Sequence, residues 1–169
     1  MPNKPRHRQN GMTLIEVLVS VLILAIGLLG AAAIQLNALK YTDSAAMSSQ
    51  ASFIAYDMMD RIRANVDGNA FANGTTNVLA TYALPNLGSA PVANPNIARD
   101  QDLADFSANI TAFAGATGTG VITVANAPEV TITIGWSDAR AAAASDKASG
   151  SATTPTQTFV LTSRVGVNP

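Results

Sequence analysis

Cysteine is absent from this chain, so no disulfide can staple it in any compartment and no thiolate is available as nucleophile or zinc ligand. Histidine occurs once, at His7. Beyond that position there is no imidazole, which excludes His- or Cys-based nucleophilic catalysis and the usual zinc sites from the bulk of the chain. Charged residues make up only 12% and the formal net charge is −1, so no basic field invites nucleic acid. Proline is missing from the whole interval between Pro5 and Pro85, leaving nothing of that kind to break a helix there.

What is present is unevenly placed. Lys4, Arg6 and Arg8 stand together before the first apolar run; setting them aside leaves seven basic and eleven acidic side chains, a balance of −4. From Met12 to Ile34 the chain reads MTLIEVLVSVLILAIGLLGAAAI, with Glu16 as its one ionisable side chain. As a helix this stretch spans roughly 34 Å, enough to cross the hydrocarbon core of a bilayer. The next basic residue is Lys40, so the positive-inside bias places the N-terminus in the cytoplasm and the body outside. A cleavable secretory signal is the competing reading, since Gly30–Ala33 imitates its small-residue site. The length of the apolar stretch and Glu16 speak against it.

Glu16 is the anomaly. A carboxylate within a membrane helix costs on the order of 2.5–3.5 kcal/mol on insertion scales. Its place four residues after Met12 leaves two readings open: it snorkels to the interface or is protonated, or a partner charge is supplied during assembly.

Gly11-Met12-Thr13-Leu14-Ile15-Glu16, behind a short basic leader and ahead of an unbroken apolar run, resembles the class III signal of type IV pilins. The resemblance implies cleavage by a prepilin peptidase between Gly11 and Met12, and N-methylation of Met12. It also implies that the Glu16 carboxylate pairs with the N-terminal ammonium of a neighbouring subunit, setting axial register. Methionine at the first mature position departs from the family's usual phenylalanine. Three further segments are similar to PilV-type minor pilins: ASFIAYDMMDRIRAN at Ala51–Asn65, Asp102-Leu103-Ala104-Asp105-Phe106, and VTITIGWSDAR at Val130–Arg140. Members of that type often carry cysteines that this chain lacks. The partners implied are the peptidase, other major and minor pilins, the inner-membrane assembly platform and membrane lipid, with no nucleic acid and no cofactor. The location implied is the inner membrane as a single-pass protein, N-terminus cytoplasmic and C-terminal part periplasmic, and then the filament at the cell surface.

The expected fold is α+β: a long N-terminal helix packed on a small antiparallel sheet, pilin-like. Residues 1–11 read as a cleaved leader, 12–34 as the membrane and filament-core helix, 35–65 as its amphipathic continuation, and 66–169 as the globular part. Gly27 and Gly30 are the weak points of the helix, each costing roughly 1 kcal/mol against alanine. They serve equally as a place for the helix to loosen or as a close-packing surface. Met47, Ala51, Ile54, Met58 and Ile62 form one apolar stripe, with Asp57 and Arg61 at i,i+4 on another face. Asn65, Asp67 and Gly68 read as the helix stop.

Residues 66–99, rich in Asn, Gly, Pro and Ala, read as an irregular loop. Leu103, Phe106, Ile110 and Phe113 then give a short helix over about 100–113. Asp100, Asp102 and Asp105 crowd its start; their spacing is not that of a calcium loop, and a helix N-terminus accounts for them. Three strands follow within about 121–165: Val121–Ala125, Val130–Trp136 and Phe159–Val165, with Ser163 interrupting the last alternation. Trp136 reads as a core anchor, and Asp138 with Arg140 as a local ion pair.

The leading functional expectation is a minor pilin of a type IV pilus, priming or joining the filament and so supporting twitching motility or adhesion. The nearest rival is a minor pseudopilin of a type II secretion system, which shares leader and helix. From another class, a membrane-anchored periplasmic enzyme or binding module stays open, because two-carboxylate sugar chemistry needs neither His nor Cys. No phosphate loop or hydrolase elbow supports it.

Overall fold

The structure, a computed structural model, describes residues 12–124, 128–138 and 156–165, without the side chains of 67–77. The chain divides into two compact units, Met1–Lys40 and Tyr41–Pro169. Helix α1, Leu14–Thr81, passes through both.

In the first unit every described side chain from Met12 to Leu39 is exposed. Fifteen of them between Leu14 and Leu39 are Leu, Ile or Val. The helix is long and apolar enough to cross a membrane. It runs without interruption through Gly27 and Gly30, where an added methyl would meet nothing within 4 Å.

In the second unit a three-stranded antiparallel sheet has the order β1-β2-β3, with β1 at Thr119–Thr123, β2 at Glu129–Ser137 and β3 at Thr156–Arg164. The central strand alternates as its sequence requires: Val130, Ile132, Ile134 and Trp136 are buried, and Thr131 and Thr133 face outward. Their buried row joins Ala51, Ala55, Met58, Met59, Ile62 and Val66 of α1 in one core. Helix α2, Ala98–Ala114, contributes Leu103, Phe106 and Ile110 to the same core. The chain is thus α+β, with a long helix packed on a small sheet.

The buried face of α1 is wider than the expected stripe. Met47 and Ile54 are only partly buried, while Ala55 and Met59 are fully so.

The helix does not stop at Asn65–Gly68. It continues to Thr81, and the segment 66–99 is therefore not one irregular loop. Asn65 directs its side-chain amide to the Tyr82 hydroxyl at 2.7 Å instead of ending the helix. Val66, Val78, Leu79 and Tyr82 are all buried, and that burial outweighs the roughly 1 kcal/mol preference of a glycine against helix. After Thr81, Leu84 bridges to Ile122 in β1, and a 3-10 turn occupies Leu87–Ser89.

Two glycines have specific work. Gly115 ends α2 with φ 66°, a left-handed conformation that a side chain resists. Gly120 lets β1 lie against α2: a Cβ there would meet Ile110 Cδ1 and Leu87 Cδ2, each at 2.6 Å.

Candidate functional site

The start of α1 is built by the motif residues themselves. Thr13 sits immediately before the helix and Glu16 lies in its first turn. The Glu16 N–H donates to the Thr13 carbonyl at 3.1 Å, with the Thr13 hydroxyl oxygen 3.4 Å away. Thr13-x-x-Glu16 has the spacing of a capping box, and a carboxylate in the first turn complements the positive end of the helix. The Thr13-x-x-Glu16 spacing that forms this helix start is itself legible in the sequence. Ser20 turns its hydroxyl back to the Glu16 carbonyl at 2.7 Å, closing the next turn.

Met12 and Glu16 are exposed, and Glu16 has no ion-pair partner among the described residues. Gly11 and the basic leader lie outside the described residues. What the segment presents is a carboxylate in the first turn of a helix whose described side chains from Met12 to Leu39 are all exposed.

A second polar constellation joins α1 to α2. Arg61 Nε donates to Asp57 Oδ2 at 2.9 Å within α1, and its Nη1 reaches Asp102 Oδ1 at 3.3 Å and Asp105 Oδ2 at 3.1 Å on α2. Burial opposes the charge of Arg61, but the hydrogen bonds to Asp57 and Asp102 prevail and raise its pKa. The Tyr82 hydroxyl donates to Asp102 Oδ2 at 2.7 Å while accepting from Asn65. Burial, reinforced by Asp102, pushes the phenol well above its ordinary range.

Two of the three aspartates at the start of α2 therefore serve α1, and only Asp100, paired with Arg99 at 2.6 Å, behaves as a purely local group. Ser163 receives Arg63 Nη2 at 2.7 Å, which explains the polar break in its strand. Asp138 is buried and accepts from Ser44 Oγ at 2.6 Å; Arg140, its expected partner, lies outside the described residues. Trp136 is 2% exposed and meets Phe113 edge-on at 5.6 Å.

These groups hold elements together. Among the described residues no three His, Cys, Asp or Glu side chains gather to hold a metal ion. An open cavity of about 280 Å³ is lined by Asp43, Met47, Phe113 and Asp138, the carboxylate that holds Ser44.

Residues 6–32 match the prokaryotic N-terminal methylation motif. The match supports a type IV pilin-like family. It covers residues 6–11 of the leader, the Gly11–Glu16 signal and most of the following apolar stretch, of which the described residues 12–32 are exposed. Neither a curated protein nor a solved structure matches the chain. The pilin-like leader implies processing by a prepilin peptidase and assembly with pilins, and with the apolar helix it supports membrane anchoring and pilus association. It points to a structural subunit rather than an enzyme.

Proposed function

We propose that the chain is a minor pilin of a type IV pilus, of the PilV type. The observation that carries this reading is the continuity of the signal: basic leader, Gly11-Met12, Glu16 in the first helical turn, and thirteen exposed Leu, Ile and Val side chains behind it.

In this reading the chain enters the inner membrane with Lys4, Arg6 and Arg8 on the cytoplasmic side. The peptidase cuts between Gly11 and Met12, where glycine lets an enzyme approach the backbone closely. Methylation follows on Met12. Cleavage frees an ammonium four residues ahead of Glu16, and the Glu16 carboxylate of one subunit pairs with the ammonium of its neighbour. Both charges are then satisfied away from water, and the pair fixes the stagger between helices. The exposed apolar helix exchanges lipid for other pilin helices, with Gly27 and Gly30 as the place where it loosens.

The test is N-terminal mass spectrometry of the protein made with and without the peptidase. The expected product begins at N-methylated Met12, and only when the enzyme is present. A chain that keeps Gly11, or one cut near Ala33, rules the reading out.

A further inference from the structure

The two edges of the sheet are treated differently. Strand β1 is closed on its outer side by Leu84, whose N–H donates to the Ile122 carbonyl at 2.9 Å and whose carbonyl accepts the Ile122 N–H at 2.9 Å. Strand β3 pairs with β2 through nine consecutive residues, Thr156 to Arg164, with no bulge, and no described residue pairs with its other side. Natural edges are usually blunted by shortness, proline, bulges or inward charge. TQTFVLTSR has none of these, and its single charge, Arg164, stands at the very end. Val160, at the centre, is 56% exposed.

We propose that this edge pairs with the same edge of a second copy of the chain, antiparallel and centred on Val160. The sequence of the strand selects both the occupant and the register. Only a pairing centred on Val160 uses all nine residues. It sets Val160 opposite its copy, Phe159 opposite Leu161, Thr158 opposite Thr162, Gln157 opposite Ser163, and Thr156 opposite Arg164.

On the core face Phe159 and Leu161, already partly buried against their own core, meet the same pair from the other copy, so the two apolar cores become continuous. On the outer face the β-branched Thr and Val side chains that favour strands face one another. The two Arg164 residues lie at opposite ends, about 26 Å apart at ~3.3 Å per residue, so no like charges oppose. Shifting the register by two residues either way breaks the Phe–Leu match. This pairing rests on the body alone and does not depend on the pilin reading.

The absence of native cysteine makes the test clean. The full chain is purified in detergent as Val160→Cys and, for comparison, as Val92→Cys, a residue 89% exposed and outside the strand. Under mild oxidation Val160→Cys is expected to give at least tenfold more disulfide-linked pairs than Val92→Cys. For register, Thr158→Cys mixed with Thr162→Cys is expected to link, whereas Thr158→Cys alone is not, and adding Val160→Lys to the mixed pair is expected to abolish the link by placing two ammonium groups face to face. Equal linking of Val160→Cys and Val92→Cys, or a mixed pair that links no faster than Thr158→Cys alone, overturns the proposal. The mixed pair keeps the test decisive if Val160→Cys does not fold.

Discussion

At Glu16 a single carboxylate occupies the first turn of α1 and is the one ionisable side chain of the 12–34 stretch, and its backbone N–H donates to the Thr13 carbonyl. If the carboxylate finds its partner only in the filament, Glu16→Ala is processed and stays in the membrane but incorporates poorly. The measurement is the ratio of filament-associated to membrane-associated protein, expected to fall about tenfold, as loss of ~1.4 kcal/mol or more per subunit would give. Incorporation at the wild-type ratio shows the acid to be dispensable.

Tyr82 offers a prediction in pH. Burial and Asp102 raise its pKa in the folded state, whereas the unfolded phenol ionises near ~10. Above that value the unfolded state releases a proton that the folded state keeps, so stability is full below about pH 10 and falls as pH rises further. The slope from one such group is at most about 1.4 kcal/mol per pH unit. Tyr82→Phe is expected to lose that slope, and at neutral pH to be less stable by about 1–3 kcal/mol because Asp102 and Asn65 lose a partner. Denaturant unfolding of the full chain in detergent, followed by the fluorescence of Trp136, reads both effects. Equal alkaline slopes for the two proteins would count against the assignment.

At the scale of elements, the central strand was legible because its period of two leaves no choice: Val130, Ile132, Ile134 and Trp136 can all be buried only on one face. Helix α2 was legible from Leu103, Phe106 and Ile110 for the same kind of reason. The end of α1 was not. Asn65 and Gly68 carry a local stop signal, and what overrides it is burial of Val78, Leu79 and Tyr82, residues that a local window cannot weigh. Nor does any local pattern show that Arg61 reaches across 41 residues to Asp102, although Asp57 at i−4 was readable.

Gly120 belongs to this scale, because it sets the distance between β1 and α2. Gly120→Ala drives a methyl against Ile110 and Leu87, and the expected loss is about 1–3 kcal/mol in unfolding free energy. Gly27→Ala, with nothing nearby, is expected to leave the body's stability unchanged in the same assay. If Gly120→Ala is as stable as wild type, the contact is more yielding than the structure indicates.

For the whole molecule, the contrast between the two units decides behaviour. The body buries its apolar side chains around the sheet, whereas no described side chain of the first unit is buried. An alkaline carbonate wash of membranes is expected to leave the chain in the pellet, since its helix is long and apolar enough to cross a membrane. Release into the supernatant would show attachment through a partner instead. The Gly11–Glu16 signal was the most readable part of the chain, because its residues stand at adjacent positions and match a known motif. The α1–α2 clasp was the least readable, because its members meet only after folding.

The exposed helix carries a consequence for the life history of each molecule. Leaving fifteen large aliphatic groups in water at about 1.5–3 kcal/mol apiece is tens of kcal/mol uphill, far beyond the stability of any small body. If the chain is the pilin proposed above, no dissolved intermediate can therefore lie between bilayer and fibre. Transfer has to be a hand-over, oil to neighbour without a wet interval, and a copy that misses its turn has nowhere to go but back among the lipids.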